Sequence, residues 1–283
     1  MLLNLGQRTL DLALPKVMGV INMTPDSFSD GGKYGSLEAA FSAAYKMIND
    51  GATIIDIGGE STRPGAQEIP AQIQLDRVIP LIEMIKKNSN IIISIDSGNP
   101  EVIKESISSG AELVNDVFAL QKPGALEVFA KSNKAVCLMH MQNQPMNMQN
   151  KPAYNKLPDD ILNFFEQRIN DCQNAGIAKD RIIIDPGFGF GKNMQHNLIL
   201  LKSLDSFKKF SMPICAGLSR KKLIGDLTGK SIDERLIGGL VAAIEAIKNG
   251  ANIIRTHDVA ATVDAIEIMH AIENTDLLSI NRI

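Results

Sequence analysis

The sequence predicts a single TIM-type (β/α)8 barrel, residues 1–283, with a short N-terminal β-hairpin over 1–16. Three observations predict it. Short β-branched apolar runs alternate eight times with helix-length amphipathic stretches, the pattern of parallel strands joined by crossover helices. The 283 residues lie near the roughly 250 of such a barrel, and neither a composition shift nor a long linker divides them. The text after the first strand, TPDSFSDGG, is not the glycine-rich turn of a doubly wound open sheet.

Residues 1–15 alternate and turn at Asn4–Gly6, so they read as a hairpin capping one barrel end. Strands are predicted at 17–22 (VMGVIN), 53–57 (TIIDI), 91–95 (IIISI), 112–116 (ELVND), 135–140 (AVCLMH), 181–185 (RIIID), 212–217 (MPICAG) and 252–256 (NIIRT). Helices are predicted at about 36–50, 71–88, 100–109, 123–132, 159–175, 196–205, 233–249 and 259–273. The Met- and Gln-rich stretch 141–152 reads as a loop rather than a cofactor box.

Apolar residues make up 45% and charged residues 22%, and a chain this long buries a full core without a disulfide or metal staple. A net charge of −3, no Trp and only three Tyr leave neither a basic face nor aromatic platforms for nucleic acid. The N-terminus lacks the pattern of a secretory signal, and no run reaches the ~18–20 apolar residues of a membrane span, so a cytoplasmic protein is expected. Cys137, Cys172 and Cys215 have no CxxC spacing and no neighbouring base, and they read as reduced structural thiols.

Polar residues end nearly every strand: Asn22, Asp56, Asp96, Asn115 with Asp116, His140, Asp185, Ser219, and Arg255 with His257. Any one alone reads as a helix cap or a loop hydrogen bond. Together, at the C-terminal rim of a barrel, they read as a site. Asp96, Asn115 and Asp185 supply acceptors and an amide, suited to a flat heterocycle with several N–H donors. Arg63, Arg220, Lys221, Arg255 and His257 form a cationic group suited to a phosphate-bearing ligand. The turns GGE (58–60), DPGFGFG (185–191) and AGLSRK (216–221) let backbone N–H groups approach such an anion. GFGFGK (187–192) fails the P-loop spacing, and no HExxH or CxxC metal set is present. Asn22 and the loop acids suit at most a phosphate-bound Mg2+. Met139 flanks the acceptor side or belongs to the core, and the roles of Asp56 and His140 stay open.

INMTPDSFSDGG (21–32), DIGGESTRPGA (56–66), SID (94–96), VNDV (114–117), DPGFGFGK (185–192), GLSRK (217–221) and RTHDV (255–259) together resemble the motif set of the dihydropteroate synthases, in that family's order. The resemblance implies a transferase that condenses (7,8-dihydropterin-6-yl)methyl diphosphate with p-aminobenzoate, giving dihydropteroate and diphosphate. It implies Mg2+ as cofactor, a homodimer, and sulfonamides as competitors of p-aminobenzoate. Asp96, Asn115, Asp185, Lys221, Met139 and Gly217 match pterin positions. Asn22, Arg63, Arg255 and His257 match diphosphate positions, with Asn22 at the metal. Thr62, Arg63, Pro64, Phe190, Ser219 and Lys222 match the surroundings of p-aminobenzoate. Lys221, Arg255, His257 and Asp96 are the implied catalytic set, and 23–35 and 59–69 match mobile loops that close over the substrates.

Two departures stand out. Lys222 replaces a small hydroxyl residue, and either pairs with the aminobenzoate carboxylate or points to solvent; Thr256 stands where the family often has valine. A pterin-dependent methyltransferase domain would need neither TPDSFSDGG nor the SRK and RTH cations, while a non-catalytic pterin-binding paralogue would keep every motif.

Overall fold

The computed structural model describes residues 1–23, 37–61 and 65–275. Two short antiparallel strands, β1 (Leu2–Asn4) and β2 (Thr9–Asp11), form the expected hairpin. Eight parallel strands follow: β3 (Lys16–Asn22), β4 (Ile54–Gly58), β5 (Ile92–Asp96), β6 (Leu113–Asp116), β7 (Ala135–Met139), β8 (Ile182–Asp185), β9 (Cys215–Gly217) and β10 (Ile253–Thr256). They lie in the order β8-β7-β6-β5-β4-β3-β10-β9. The ring closes between β8 and β9, where Ile184 bridges Ile214 and its N–H donates to Pro213 O at 3.0 Å.

The helices are α1 (Leu37–Asn49), α2 (Ala71–Asn88), α3 (Pro100–Ser109), α4 (Ala125–Ala130), α5 (Asp159–Asn174), α6 (Met194–Lys202), α7 (Lys222–Thr228), α8 (Leu236–Lys248) and α9 (Val259–Glu273). Strand ends fall within about two residues of the sequence expectation, the usual fraying of boundaries. The exception is the seventh barrel strand, expected at 212–217 and ordered only over Cys215–Gly217, because Pro213 has no N–H for the ladder. Helix α7 was not expected: seven residues with an internal Gly225 carry too little periodicity to register.

Side-chain alternation sorts the barrel interior into layers. At the lower end, Leu3, Leu5, Leu10 and Leu12 of the hairpin pack on Met18, Ile54, Ile92, Leu113, Ile183 and Ile253. Each buried leucine is worth about 1.5–3 kcal/mol relative to exposure, which is how so short a hairpin holds as a plug. Arg8 fastens it by pairing with Glu112 and donating to Asn90 O at 2.6 Å. Two residues further along each alternate strand, Ile54, Leu113, Ile183 and Ile253 give way to Asp56, Asn115, Asp185 and Arg255. The period of two therefore turns four strand ends into one polar layer across the lumen.

Candidate active site

Arg255 is the centre of that layer. Its Nε donates to Asp56 Oδ2 at 2.7 Å and its Nη2 donates to Asp96 Oδ2 at 2.7 Å. Asn115 Nδ2 donates to the same Asp56 oxygen at 3.0 Å. Burial alone lowers a guanidinium, but Asp56 and Asp96 outweigh it and hold Arg255 above its ordinary value. Asp96 moves the other way: burial dominates and raises its carboxyl far above the usual range, despite Arg255. Among the described residues, Asp56 Oδ1 and Asp96 Oδ1 are buried without a hydrogen-bond partner. Buried carboxylate oxygens of this kind are costly unless a ligand supplies N–H groups.

Asp56, left open by the sequence, is thus the anchor of Arg255 and of the Asn115 amide. The signal was available in the alternation: Asp56 shares the inward face of β4 with Ile54. Asp116 faces away and accepts from Phe118 N–H at 2.8 Å and Leu120 N–H at 2.7 Å, so it organises the following loop while Asn115 faces inward.

A narrow slot opens on this layer. Asp96, Asn115, Met139, Asp185, Gly217 and Lys221, all six residues matched to the pterin side, line it together with Val117, Gly187, Phe188, Phe190 and Arg255. Asp185 accepts from Gly187 N–H at 2.8 Å, and burial raises its carboxyl while that bond, Lys221 and Arg255 pull it back. Gly187 has φ +72°, and a Cβ there would lie 1.9 Å from His140 O, so only glycine lets the chain turn.

The GFGFGK segment is a rigid wall of the slot. The buried Lys192 ammonium donates to Gly187 O at 2.9 Å and Phe190 O at 3.0 Å, and lies 3.0 Å from His140 Nδ1. Its three N–H groups thus meet three acceptors, with the neutral imidazole taking one. Burial, then Lys192, holds His140 far below its ordinary value, which makes His140 a structural partner. The turn presents the Phe190 ring, and Lys221 Nζ sits 4.2 Å from its centroid. Sequence reasoning missed Lys192, because no local pattern shows that a lysine after glycines folds inward.

Above the slot lies a cleft of about 780 Å3, large enough for a small-molecule ligand. Asn22, Phe190, Ser219, Lys221, Lys222, Arg255 and His257 all line it. Two members of the expected cationic group need correction. Arg220 is committed to Asp258, with Nη2 to Oδ1 at 2.6 Å and Nε to Oδ2 at 3.2 Å, so its charge is locally neutralised. His257 is neutral: burial, then Arg255 and Arg220, lower it to about 4, and its Nδ1 lies 3.2 Å from Ser219 Oγ. Among the described residues, Lys221 and Arg255 are the cations that line both the slot and the cleft. Lys222 points to solvent, its side chain 84% exposed and bound to Asp226 one turn on at 2.6 and 2.7 Å. Its backbone opens α7 at the cleft wall. Thr256 is buried against Thr262, whose Oγ1 lies 3.2 Å away, which accounts for a hydroxyl residue there. Thr62, Arg63 and Pro64, most of 23–35, and the middle of 59–69 lie outside the described residues.

Fold and site define an α/β-barrel enzyme whose strand ends line a narrow acceptor-rich slot beneath a wider cleft shared by Lys221 and Arg255. A family model described as pterin binding enzyme matches residues 18–257. Dihydropteroate synthase of Escherichia coli strain K12 is 49% identical over 263 residues, covering 93% of each chain. The structure of Yersinia pestis dihydropteroate synthase with a sulfonamide drug superposes with a TM-score of 0.93 at 49% identity, covering 96% of this chain and 99% of that one. Xanthomonas albilineans dihydropteroate synthase in complex with 7,8-dihydropteroate gives a TM-score of 0.88 at 39% identity, covering 97% and 99%. The chain belongs to the dihydropteroate synthase family.

Proposed function

We infer that the protein condenses (7,8-dihydropterin-6-yl)methyl diphosphate with p-aminobenzoate, releasing diphosphate and 7,8-dihydropteroate. The observation that carries this reading is the polar layer itself, two buried carboxylate oxygens without partners beside the Lys221–Arg255 pair. Asp185, Asp96 and Asn115 hold the pterin edge, and Met139, Phe190 and Gly217 bound its faces. Arg255 and Lys221 meet the negative charge that builds on the departing diphosphate, and His257 contributes as a neutral hydrogen-bonding group. The arylamine then attacks the exposed methylene carbon and loses a proton. No protein nucleophile is needed, because diphosphate departs on its own once its charge is met and the neutral arylamine attacks the methylene carbon directly. Phe190 and Ser219 stand on the side of the cleft that takes p-aminobenzoate and its sulfonamide competitors, where the α7 backbone replaces the Lys222 side chain as a partner for the carboxylate.

Asn22 offers one hard oxygen at the cleft beside Arg255 and His257, which fits Mg2+ held mainly by substrate phosphates. Bound there, Mg2+ supplies charge neutralisation to the leaving diphosphate. The deciding experiment is turnover by purified protein: dihydropteroate forms from the two substrates only with Mg2+, and no product at saturating substrate favours a binding-only paralogue.

Lys221 sets a pH dependence. Burial, then Arg255, lowers its ammonium to about 8, against the pull of Asp185 and Asp96. Its charge is present below that value and lost above it. Affinity for the diphosphate substrate should therefore fall as pH rises through about 8, while Lys221→Arg, which stays charged, should flatten the profile. Calorimetric titrations across that range check this.

We also propose that the protein is a homodimer in the cytoplasm. Helices α8 and α9 leave Ile237 76%, Val241 66%, Ile268 63% and Ile272 68% exposed, around an apolar groove of about 560 Å3. A contiguous apolar face of this kind suits an isologous contact with a second copy. Ile237→Glu should shift the sedimenting species from dimer to monomer with little loss of fold. The three buried free thiols suit a reducing compartment, and among the described residues no helix is long and apolar enough to cross a membrane.

A further inference from the structure

Two buried thiols in the lumen are unused by the proposed reaction and sit beside a carboxylate that it does use. Cys137 on β7 and Cys215 on β9 lie one layer below Asp185, and both are buried. β8, which carries Asp185, runs between them, so three neighbouring strands bring the three groups together. The two sulfurs and a carboxylate oxygen all lie within 4.8 Å of one another. The thiols are close enough to hydrogen-bond each other. Ligands in a tetrahedral zinc site are separated by somewhat less than this, so a small inward movement suffices. Asp185 also lines the pterin slot, which gives the cluster its opening.

We propose that Cys137, Cys215 and Asp185 form a thiophilic divalent-cation site, of the Zn2+ and Cd2+ class, whose occupation excludes the pterin. Two thiolates and a carboxylate are the donor set of a borderline or soft ion, and disfavour Mg2+. The step balances: the two thiols release their protons, two metal–sulfur bonds and one metal–oxygen bond form, and no electron moves. The resulting complex carries one net negative charge, facing Lys221 and Arg255. Contact with Cys215 and burial push the Cys137 thiol up, so binding competes with protons and tightens as pH rises. Asp185 cannot serve the ion and the pterin edge at once. Micromolar Zn2+ should thus raise KM for the pterin diphosphate while leaving kcat unchanged, and excess Mg2+ should not relieve it.

The test is titration of metal-free wild-type protein with Cd2+, followed by the thiolate-to-metal absorption band and by proton release. One Cd2+ per chain and close to two protons per ion support the site. Cys215→Val should weaken binding by more than about tenfold, and Cys172→Ser should leave it intact. No thiolate band in the wild type, or an equal band in a folded Cys215→Val, overturns the proposal. A pterin lacking the diphosphate should displace Cd2+ from the wild type, an arm that requires no variant to fold. This arm rests on the pterin reading of the slot, which pterin titration of metal-free protein tests separately. If pterin binds and Cd2+ stays in place, the exclusion is wrong while the pterin reading stands.

Discussion

On the proposed reading, Asp185→Ala should weaken binding of the pterin by about a hundredfold to ten-thousandfold, the expected loss of two charge-assisted hydrogen bonds at about 1.5–3 kcal/mol each. The carboxylate is buried at the slot, oriented by Gly187 N–H and flanked electrostatically by Lys221 and Arg255. Removing it leaves the ligand N–H groups unpaired in a dry site, where an unmet donor is costly. On that reading Asp185 meets the ring and not the leaving group, so the loss should fall equally on pterins with and without the diphosphate. Calorimetric titration of both ligands measures it. Asp185→Asn, which keeps the shape and replaces one acceptor by a donor, should be nearly as damaging; affinity retained in both variants would remove Asp185 from the pterin site.

Arg255→Ala should affect substrate selectivity and stability together. Affinity for the diphosphate-bearing ligand should fall more than affinity for the same pterin without phosphate, and equal losses would place the diphosphate elsewhere. The stability effect follows from what Arg255 holds: Asp56 and Asp96 lose their guanidinium partner while buried, a change that costs about 3–5 kcal/mol. Its pH dependence has a definite sign. Burial raises Asp96 above its unfolded value and Arg255 opposes that rise. The contribution of such a group is present below the unfolded value and lost as pH climbs through the folded one. Without Arg255 the folded value rises further, so the loss extends to higher pH. The melting temperature of the variant should therefore lie nearest that of the parent at about pH 5 and furthest from it at about pH 8. Thermal unfolding at both values checks it, and a deficit independent of pH would mean that the carboxylates are not held by Arg255.

Most of the barrel was legible because its signals are local. The runs TIIDI, IIISI and RIIID are β-branched and apolar on both faces, as strands covered by helices must be, and α2, α3 and α9 begin and end where their periodic stretches do. The placement of Asp96, Asn115 and Asp185 was legible in part: polar residues at buried strand ends collect at one rim, but only the alternation along β6 separates Asn115, which faces the slot, from Asp116, which holds the next loop. Helix α7 escaped because seven residues around a glycine carry no period.

The sequence by itself determined the eight strand–helix units, the acceptor and cation types at the strand ends, and the absence of a P-loop. Tertiary structure alone decided how those side chains divide their charge. Arg220 and Arg255 are equally cationic as letters, but Arg220 meets Asp258 outside the polar layer while Arg255 meets Asp56 and Asp96 within it. His257 counts as a cation in the sequence and is neutral when buried beside Arg255. Lys192 and Lys222 both follow a small polar or glycine-rich turn, yet one is sealed under the Phe190 turn and the other reaches solvent and Asp226. Charge state and hydrogen-bond partner depend on burial and on groups up to 199 residues distant along the chain, and only the closed barrel brings these together.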